Sequence, residues 1–206
     1  MAKMRKPAGR FERAADTFRK HGGILRTAAA IRAGIHPSTL YAMRDAGTVE
    51  QLSRGLYRLA EGGPLKNPDL VPVAVKVPNG VLCLISALAF HELTNQVPHE
   101  VHIALSRGAE NPRLSYPPIR VFRFAGKAFS EGIDVHKIDG VSLRVYNAEK
   151  TLADCFKFRN KVGLDTAVEA LRAYRERRRM NLKAVLHFAS VCRVERVMRP
   201  YLEALL

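Results

Sequence analysis

Apolar side chains recur every three or four positions over Phe11–His21, where Phe11, Ala14, Ala15 and Phe18 fall on one helical face. The double glycine Gly22-Gly23 ends that pattern. A small, alanine-rich helix is expected over Arg26–Ala33, and a third over Pro37–Ala46 with Leu40 and Met43 turned inward. Pro37 suits a first helical turn, where a missing N–H costs nothing. Gly47 lies just past the last periodic residue, the usual stop. Val49–Leu52 and Leu56–Leu59 then read as short strands about the basic turn Ser53-Arg54-Gly55. Ala60–Asp69 (AEGGPLKNPD) is rich in Gly, Pro and Asn and reads as a linker. Beyond it, Gly80–Leu84 is a short apolar run, and Ser86 is placed to cap a helix over Ala87–Leu93. Val101–Leu105 alternates as a strand, and Ile119–Phe124 follows the Pro117-Pro118 turn as another. Ile133–Ile138 and Val141–Tyr146 flank Asp139-Gly140, a hairpin signal. The remainder is helical, over about Ala148–Arg159, Leu164–Arg179, Leu182–Ala189 and Val194–Leu206.

The order helix, turn, helix, hairpin near the N-terminus is that of a winged helix-turn-helix. The expected architecture is α+β: a winged helix-turn-helix domain over residues 1–62, then a mixed α/β domain over residues 63–206 with a helical C-terminal end. Met1–Arg10, basic and carrying Pro7 and Gly9, reads as an arm before the first helix. If Leu40 and Met43 face the core, Ser38, Thr39, Tyr41, Ala42 and Arg44 face outward, because a helix turns about 100° per residue. Arg bonds guanine bidentately, Ser and Thr meet bases or phosphates, and Tyr meets phosphate. Arg54 would reach the flanking backbone or minor groove. Double-stranded DNA is therefore the expected partner.

Charge sharpens that expectation. The 206-residue chain holds 34 Lys and Arg against 19 Asp and Glu, a formal net charge of +15. Residues 1–62 carry +7, residues 63–145 only +2, and residues 146–206 +6. A surplus concentrated at the two ends points to a polyanionic partner. Within Leu164–Arg179, the residues Leu164, Val168, Leu171 and Tyr174 are spaced to be buried. Arg172, Arg175 and Arg179 then share another face, with Arg159 and Lys161 just upstream, as a second basic site. Cys83, Cys155 and Cys192 are widely spaced and odd in number, which suits a reducing cytoplasm better than a disulfide framework. No apolar run reaches membrane length, and no apolar signal core follows the N-terminal charges.

Enzyme chemistry finds little support. His91-Glu92-Leu93-Thr94-Asn95 lacks the second His of the zinc motif, and His99 and His102 fall on opposite faces of a strand. Asp134, Asp139, Glu149 and Asp154 form a conceivable divalent-metal set, but the turn explains Asp139 and the start of a helix explains Glu149. No catalytic residues, metal ligands or cofactors are expected. The alternative reading is a nucleic-acid-processing or nucleotidyl-transferring enzyme with a winged-helix targeting domain. Asn147 caps the helix that follows, in which Leu152, Cys155 and Phe156 bury while Lys150, Asp154 and Lys157 face solvent or a partner.

Four stretches resemble the AbiEi-type antitoxins of bacterial AbiE phage-defence systems, the type IV toxin–antitoxin group. They are the wing ending in Ser53-Arg54-Gly55-Leu56-Tyr57-Arg58-Leu59, the helix Ile85-Ser86-Ala87-Leu88-Ala89-Phe90-His91-Glu92-Leu93, the Asp-Gly hairpin, and Asn147-Ala148-Glu149-Lys150-Thr151-Leu152-Ala153-Asp154-Cys155-Phe156. The resemblance implies an N-terminal domain that represses its own operon at inverted repeats. It also implies a C-terminal domain that counters a nucleotidyltransferase-like toxin and supports cooperative self-association on DNA. It maps the recognition helix to Ser38–Asp45, the wing tip to Arg54 and an antitoxin motif to Glu149, Lys150, Thr151 and Asp154.

Overall fold

The computed structural model describes residues 7–177 and 180–205. The chain divides into two compact units. One comprises residues up to Val75 together with Ser115–Pro117 and Lys137–Ser142; the other comprises Lys76–Leu114, Pro118–His136 and residues from Leu143 on. Both α-helices and β-sheets are present.

The first unit runs α1 (Pro7–Lys20), β1 (Ile24–Arg26), α2 (Thr27–Arg32), α3 (Pro37–Asp45), β2 (Val49–Ser53) and β3 (Leu56–Leu59), and leads into α4 (Leu70–Lys76). Phe18, Leu40 and Met43 are fully buried with Ala30, Ile35, Val49 and Tyr57 around them. Each such large side chain contributes about 1.5–3 kcal/mol relative to exposure. The strands form an antiparallel sheet in the order β1-β3-β2, with Leu25 opposite Tyr57 and Val49 opposite Leu59. Two expectations are corrected. Helix α1 starts at Pro7, so Pro7–Arg10 is helical rather than an arm, and residues 1–6 lie outside the described residues. Ile24–Arg26 is a strand, held by its partner β3 rather than by any periodicity of its own.

The second unit is built on a five-stranded mixed sheet. Its strands are β4 (Val81–Leu82), β5 (Val101–Ser106), β6 (Ile119–Phe124), β7 (Ile133–Ile138) and β8 (Val141–Tyr146), in the order β6-β5-β4-β8-β7. Positions 101–105 of β5 are all buried, so the strand is covered on both faces instead of alternating. Helix α5 (Leu84–Phe90) starts earlier than expected, after Cys83. Ser86 does not cap it; its buried hydroxyl accepts the N–H of His102 at 2.9 Å.

Five further helices complete this unit after the short α6 (Lys127–Ser130): α7 (Ala148–Lys157), α8 (Arg159–Val162), α9 (Leu164–Arg177), α10 (Leu182–Cys192) and α11 (Glu195–Glu203). The buried face of α9 is Ala167, Ala170, Leu171 and Tyr174; Leu164, expected inside, is 36% exposed.

At the β7–β8 turn, Asp139 and Gly140 have φ of 43° and 85°, both in the region that such tight hairpins require. The Asp139 carboxylate belongs to the first unit and accepts the backbone N–H groups of Lys66 (3.1 Å) and Asn67 (3.0 Å). Burial pushes this carboxyl up, but those two N–H groups pull it further down, and the net result lies below its ordinary value. A lowered carboxyl stabilises the folded state above the ordinary aspartate range. That contribution is lost as pH falls through the lowered value. The Lys66 and Asn67 amide resonances are therefore expected to shift together in an acid titration, with a midpoint below the ~3.9 of a free aspartate. A midpoint at or above that value contradicts the assignment.

Candidate nucleic-acid interface

Helix α3 is aligned by its ends. Pro37 occupies its first turn, and the His36 ring accepts the N–H of Ser38 at 3.3 Å as the cap. At the far end Gly47, with φ of 70°, donates to the Arg44 carbonyl at 3.0 Å. Thr39, Leu40 and Met43 are buried. Ser38, Tyr41, Arg44 and Asp45 are exposed, and Ala42 is half-buried. Thr39 therefore departs from the outward face expected of it. At 3% exposure it lies on the same side as Ile35 one turn earlier, which makes the inward stripe wider than Leu40 and Met43 alone.

Arg44 lies 2.7 Å from the Asp45 carboxylate and 5.5 Å from the centre of the Tyr41 ring. The hydrogen bond to Asp45 raises its pKa, so the charge is permanent. Exposed pairs of this kind hold little net energy, so the carboxylate gives way to a competing acceptor at small cost. The Ser38 hydroxyl sits 2.8 Å from His36 Nδ1.

Arg54 is exposed in the turn between β2 and β3, where Gly55 takes a φ of 70°. The Gly55 carbonyl accepts the N–H of Thr27 at 3.0 Å, which ties the hairpin tip to the start of α2. The rest of the Ser53–Leu59 motif is scaffold. Tyr57 is 4% exposed. Arg58 is 6% exposed, pairs with Glu50 at 3.1 Å, and donates to the carbonyls of Leu59 and Gly63. The sequence reading missed the His36 cap and this bracing of Arg58. Glu50 stands opposite Arg58 in the β2–β3 register, a cross-strand charge pair that the hairpin spacing predicts.

The second basic group is only partly gathered. Arg172 and Arg175 are exposed on α9, and Arg179 lies outside the described residues. Arg159, on α8, donates to the Phe156 carbonyl at 3.0 Å, and Lys161 lies 5.8 and 5.9 Å from the Phe122 and Phe158 ring centres.

The Glu149–Asp154 motif is the largest correction. Lys150, Thr151 and Asp154 are fully buried, not turned to solvent or a partner. Lys150 Nζ lies 2.6 Å from both Asp154 oxygens, and the Cys192 thiol donates to Asp154 Oδ1 at 3.2 Å. The ammonium also sits 4.2 Å from the Tyr146 ring centre and 5.0 Å from that of Phe124, which stabilises it by cation–π attraction. Gly132 packs on its stem: a Cβ there would come within 2.8 Å of Lys150 Cβ. Burial pushes the Asp154 carboxyl up from its ordinary value, with Lys150 beside it pulling the other way. Burial, aided by Asp154, raises the Cys192 thiol to about 12, so it stays a donor. Glu149 accepts the Tyr174 hydroxyl at 2.5 Å, and the Thr151 hydroxyl donates to the Tyr146 carbonyl at 3.2 Å. Every polar member of the motif thus has an internal partner, and α7 is the central helix of its unit.

The four acids considered as a metal set are not brought together. Asp134 is exposed on β7, Asp139 holds the Lys66 segment, Glu149 holds Tyr174, and Asp154 is sealed in the core. Among the described residues, no three His, Cys, Asp or Glu side chains assemble as a metal site. His91 Nε2 lies 2.7 Å from the Tyr146 carbonyl, and His102 is 5% exposed with its pKa lowered by burial. Cys83, Cys155 and Cys192 are buried free thiols. Among the described residues, no helix is long and apolar enough to cross a membrane.

Comparison of the whole chain with curated proteins gives no match. Residues 12–60, which run from within α1 to just past the end of β3, match the family model described as transcriptional regulator, AbiEi antitoxin.

Proposed function

We propose that the chain is a sequence-specific, DNA-binding transcriptional repressor that acts in the cytoplasm as the antitoxin of a type IV toxin–antitoxin pair and represses its own operon at inverted repeats. The single observation that carries the reading is the outward face of α3. Ser38, Tyr41 and Arg44 stand exposed on a helix whose other side is locked into the core, in the same unit as a hairpin that presents Arg54. In this reading residues 1–62 are a winged helix-turn-helix domain: α3 enters the major groove and the β2–β3 turn follows the adjacent backbone. Residues 63–206 are the antitoxin-type domain, and Arg172 and Arg175 supply further phosphate contacts. The family description for residues 12–60 supports both roles.

Arg44→Ala is expected to weaken binding to the chain's own upstream DNA by ~1–3 kcal/mol and to relax base preference at one position of each half-site, measured by fluorescence anisotropy on operator and single-site variants. Unchanged affinity and preference would remove α3 as the reading element. The antitoxin role is tested by co-expression with a toxin encoded beside it: rescue of growth that survives deletion of residues 63–206 contradicts the assignment of that role to the second domain.

A further inference from the structure

A concavity of about 340 Å3 opens between α1 and α3 and is walled by Arg10, Arg13, Thr17, Gly34, His36 and Thr39 among others. Helix α1 has three chemically distinct faces. Ala14, Ala15 and Phe18 form its buried stripe. Glu12, Asp16 and Arg19 form a second face, where the Arg19 guanidinium contacts Glu12 (3.1 Å), Asp16 (2.6 Å) and Glu61 (2.7 Å). Both acidic residues of the helix are spent there. Arg10, Arg13 and Thr17 form the third face, at spacings of three and four that stack side chains over successive turns.

That third face carries positive charge without compensation. Among the described residues, neither Arg10 nor Arg13 has a carboxylate within ion-pair distance. The contact made by Arg13 is to the Gly9 carbonyl at 3.0 Å. Both side chains are exposed. Across the cleft, His36 Nδ1 accepts the Ser38 N–H, which leaves the ring proton on Nε2 as a donor. The Thr39 side chain, turned away from the outward face, lines the same cleft. Among the described residues no carboxylate lines the cleft, and its charged groups are all cationic donors. Such a cavity suits an oxyanion, and guanidinium pairs suit a phosphate oxygen best.

We propose that Arg10 and Arg13 hold a backbone phosphate of the DNA duplex over this cleft, with His36 as an additional donor, so that α1 fixes the register in which α3 meets the bases. The inference rests on the reading of α3 as the duplex-facing helix. A phosphate contact positions without reading sequence, and each one lost flattens the salt dependence of binding by about one unit of slope.

The test is the full-length chain carrying Arg10→Gln and Arg13→Gln together, titrated with its own upstream duplex and with an unrelated duplex of equal length across a range of salt. The double variant is expected to bind both duplexes more weakly by the same factor, with the slope of log affinity against log salt reduced by about one, for the one phosphate lost. Arg10→Lys with Arg13→Lys is expected to keep the slope, and Arg19→Gln, on the acidic face, to leave it unchanged. A double glutamine variant with wild-type affinity and slope overturns the proposal while leaving the α3 reading intact. Weakening confined to the upstream duplex means base reading and also overturns it. Inorganic phosphate is added to both proteins at constant ionic strength. Saturable perturbation of the wild type alone, with no change in duplex slope, assigns the cleft to free oxyanions instead. A wild-type chain without affinity for any duplex overturns both the inference and the reading beneath it.

Discussion

Lys150→Met is expected to cost the second unit roughly 3–5 kcal/mol, the penalty for stranding one member of a buried ion pair. Both partners have no solvent-exposed side-chain surface, and 2.6 Å separates Lys150 Nζ from each Asp154 oxygen. Methionine keeps the Cβ–Cγ packing against Gly132 and falls one atom short of lysine, so the loss is mainly that of the charge. Asp154 would be left with the Cys192 thiol alone, a weak donor held neutral at physiological pH. Lys150→Met combined with Asp154→Leu is expected to recover most of that loss, since an apolar pair of similar volume often matches or exceeds a buried ion pair. Urea denaturation of the full-length single and double variants measures both. A single variant within ~1 kcal/mol of wild type would mean that the pair is hydrated, contrary to the burial described here. The same substitution separates two views of the motif. A partner-contacting motif would lose toxin binding with its fold intact; an internal brace loses stability first.

Affinity for duplex DNA is expected to fall about ten-thousandfold between 50 and 200 mM monovalent salt, the change expected for ~8 phosphate contacts. The chain's net charge of +15 is not spread evenly, and much of the N-terminal surplus stays available at the surface. Arg10 and Arg13 line the cleft beside α3, and Arg172 and Arg175 stand exposed on α9. Arg19 and Arg58, by contrast, are already met by carboxylates and add little to a salt-dependent term. A tenfold loss or less over that range would leave too few phosphate contacts for a duplex-binding surface of this charge.

The elements punctuated by local chemistry were legible in the chain. Pro37 and Gly47 bracket α3, Arg54-Gly55 separates β2 from β3, and Asp139-Gly140 joins β7 to β8, all as their turn residues require. Elements that depend on remote partners were not. Ile24–Arg26 is a strand because Leu56, Tyr57 and Arg58 lie opposite it, a pairing that no three-residue window encodes. Leu70–Lys76 is helical despite its valines and Pro72, since packing overrides intrinsic propensity.

The candidate site divides the same way. Tyr41 and Arg44 face out as the helical period predicts, whereas Thr39 is drawn inward with Ile35, Leu40 and Met43. On α7, Lys150 and Asp154 at i, i+4 look like an exposed surface pair. Leu152, Ala153, Cys155 and Phe156 share one side of the helix and Lys150 and Asp154 the other, so nothing within the helix signals their burial; it comes from Phe124, Tyr146 and Cys192, remote in sequence. The Arg10-Arg13-Thr17 face was hidden in the sequence because Arg10 reads as part of an arm; only the start of α1 at Pro7 puts the three on one helix, and the cleft beside α3 gives them a use.

The central claim is that the outward face of α3 reads a specific duplex. Its most direct test is the affinity of the full-length chain for the DNA immediately upstream of its own coding sequence, compared with random duplex of equal length at physiological salt. The account predicts binding at least about a thousandfold tighter to the upstream DNA, the low end for specific recognition, with that advantage reduced in Arg44→Ala. Equal affinity for the two duplexes would contradict it.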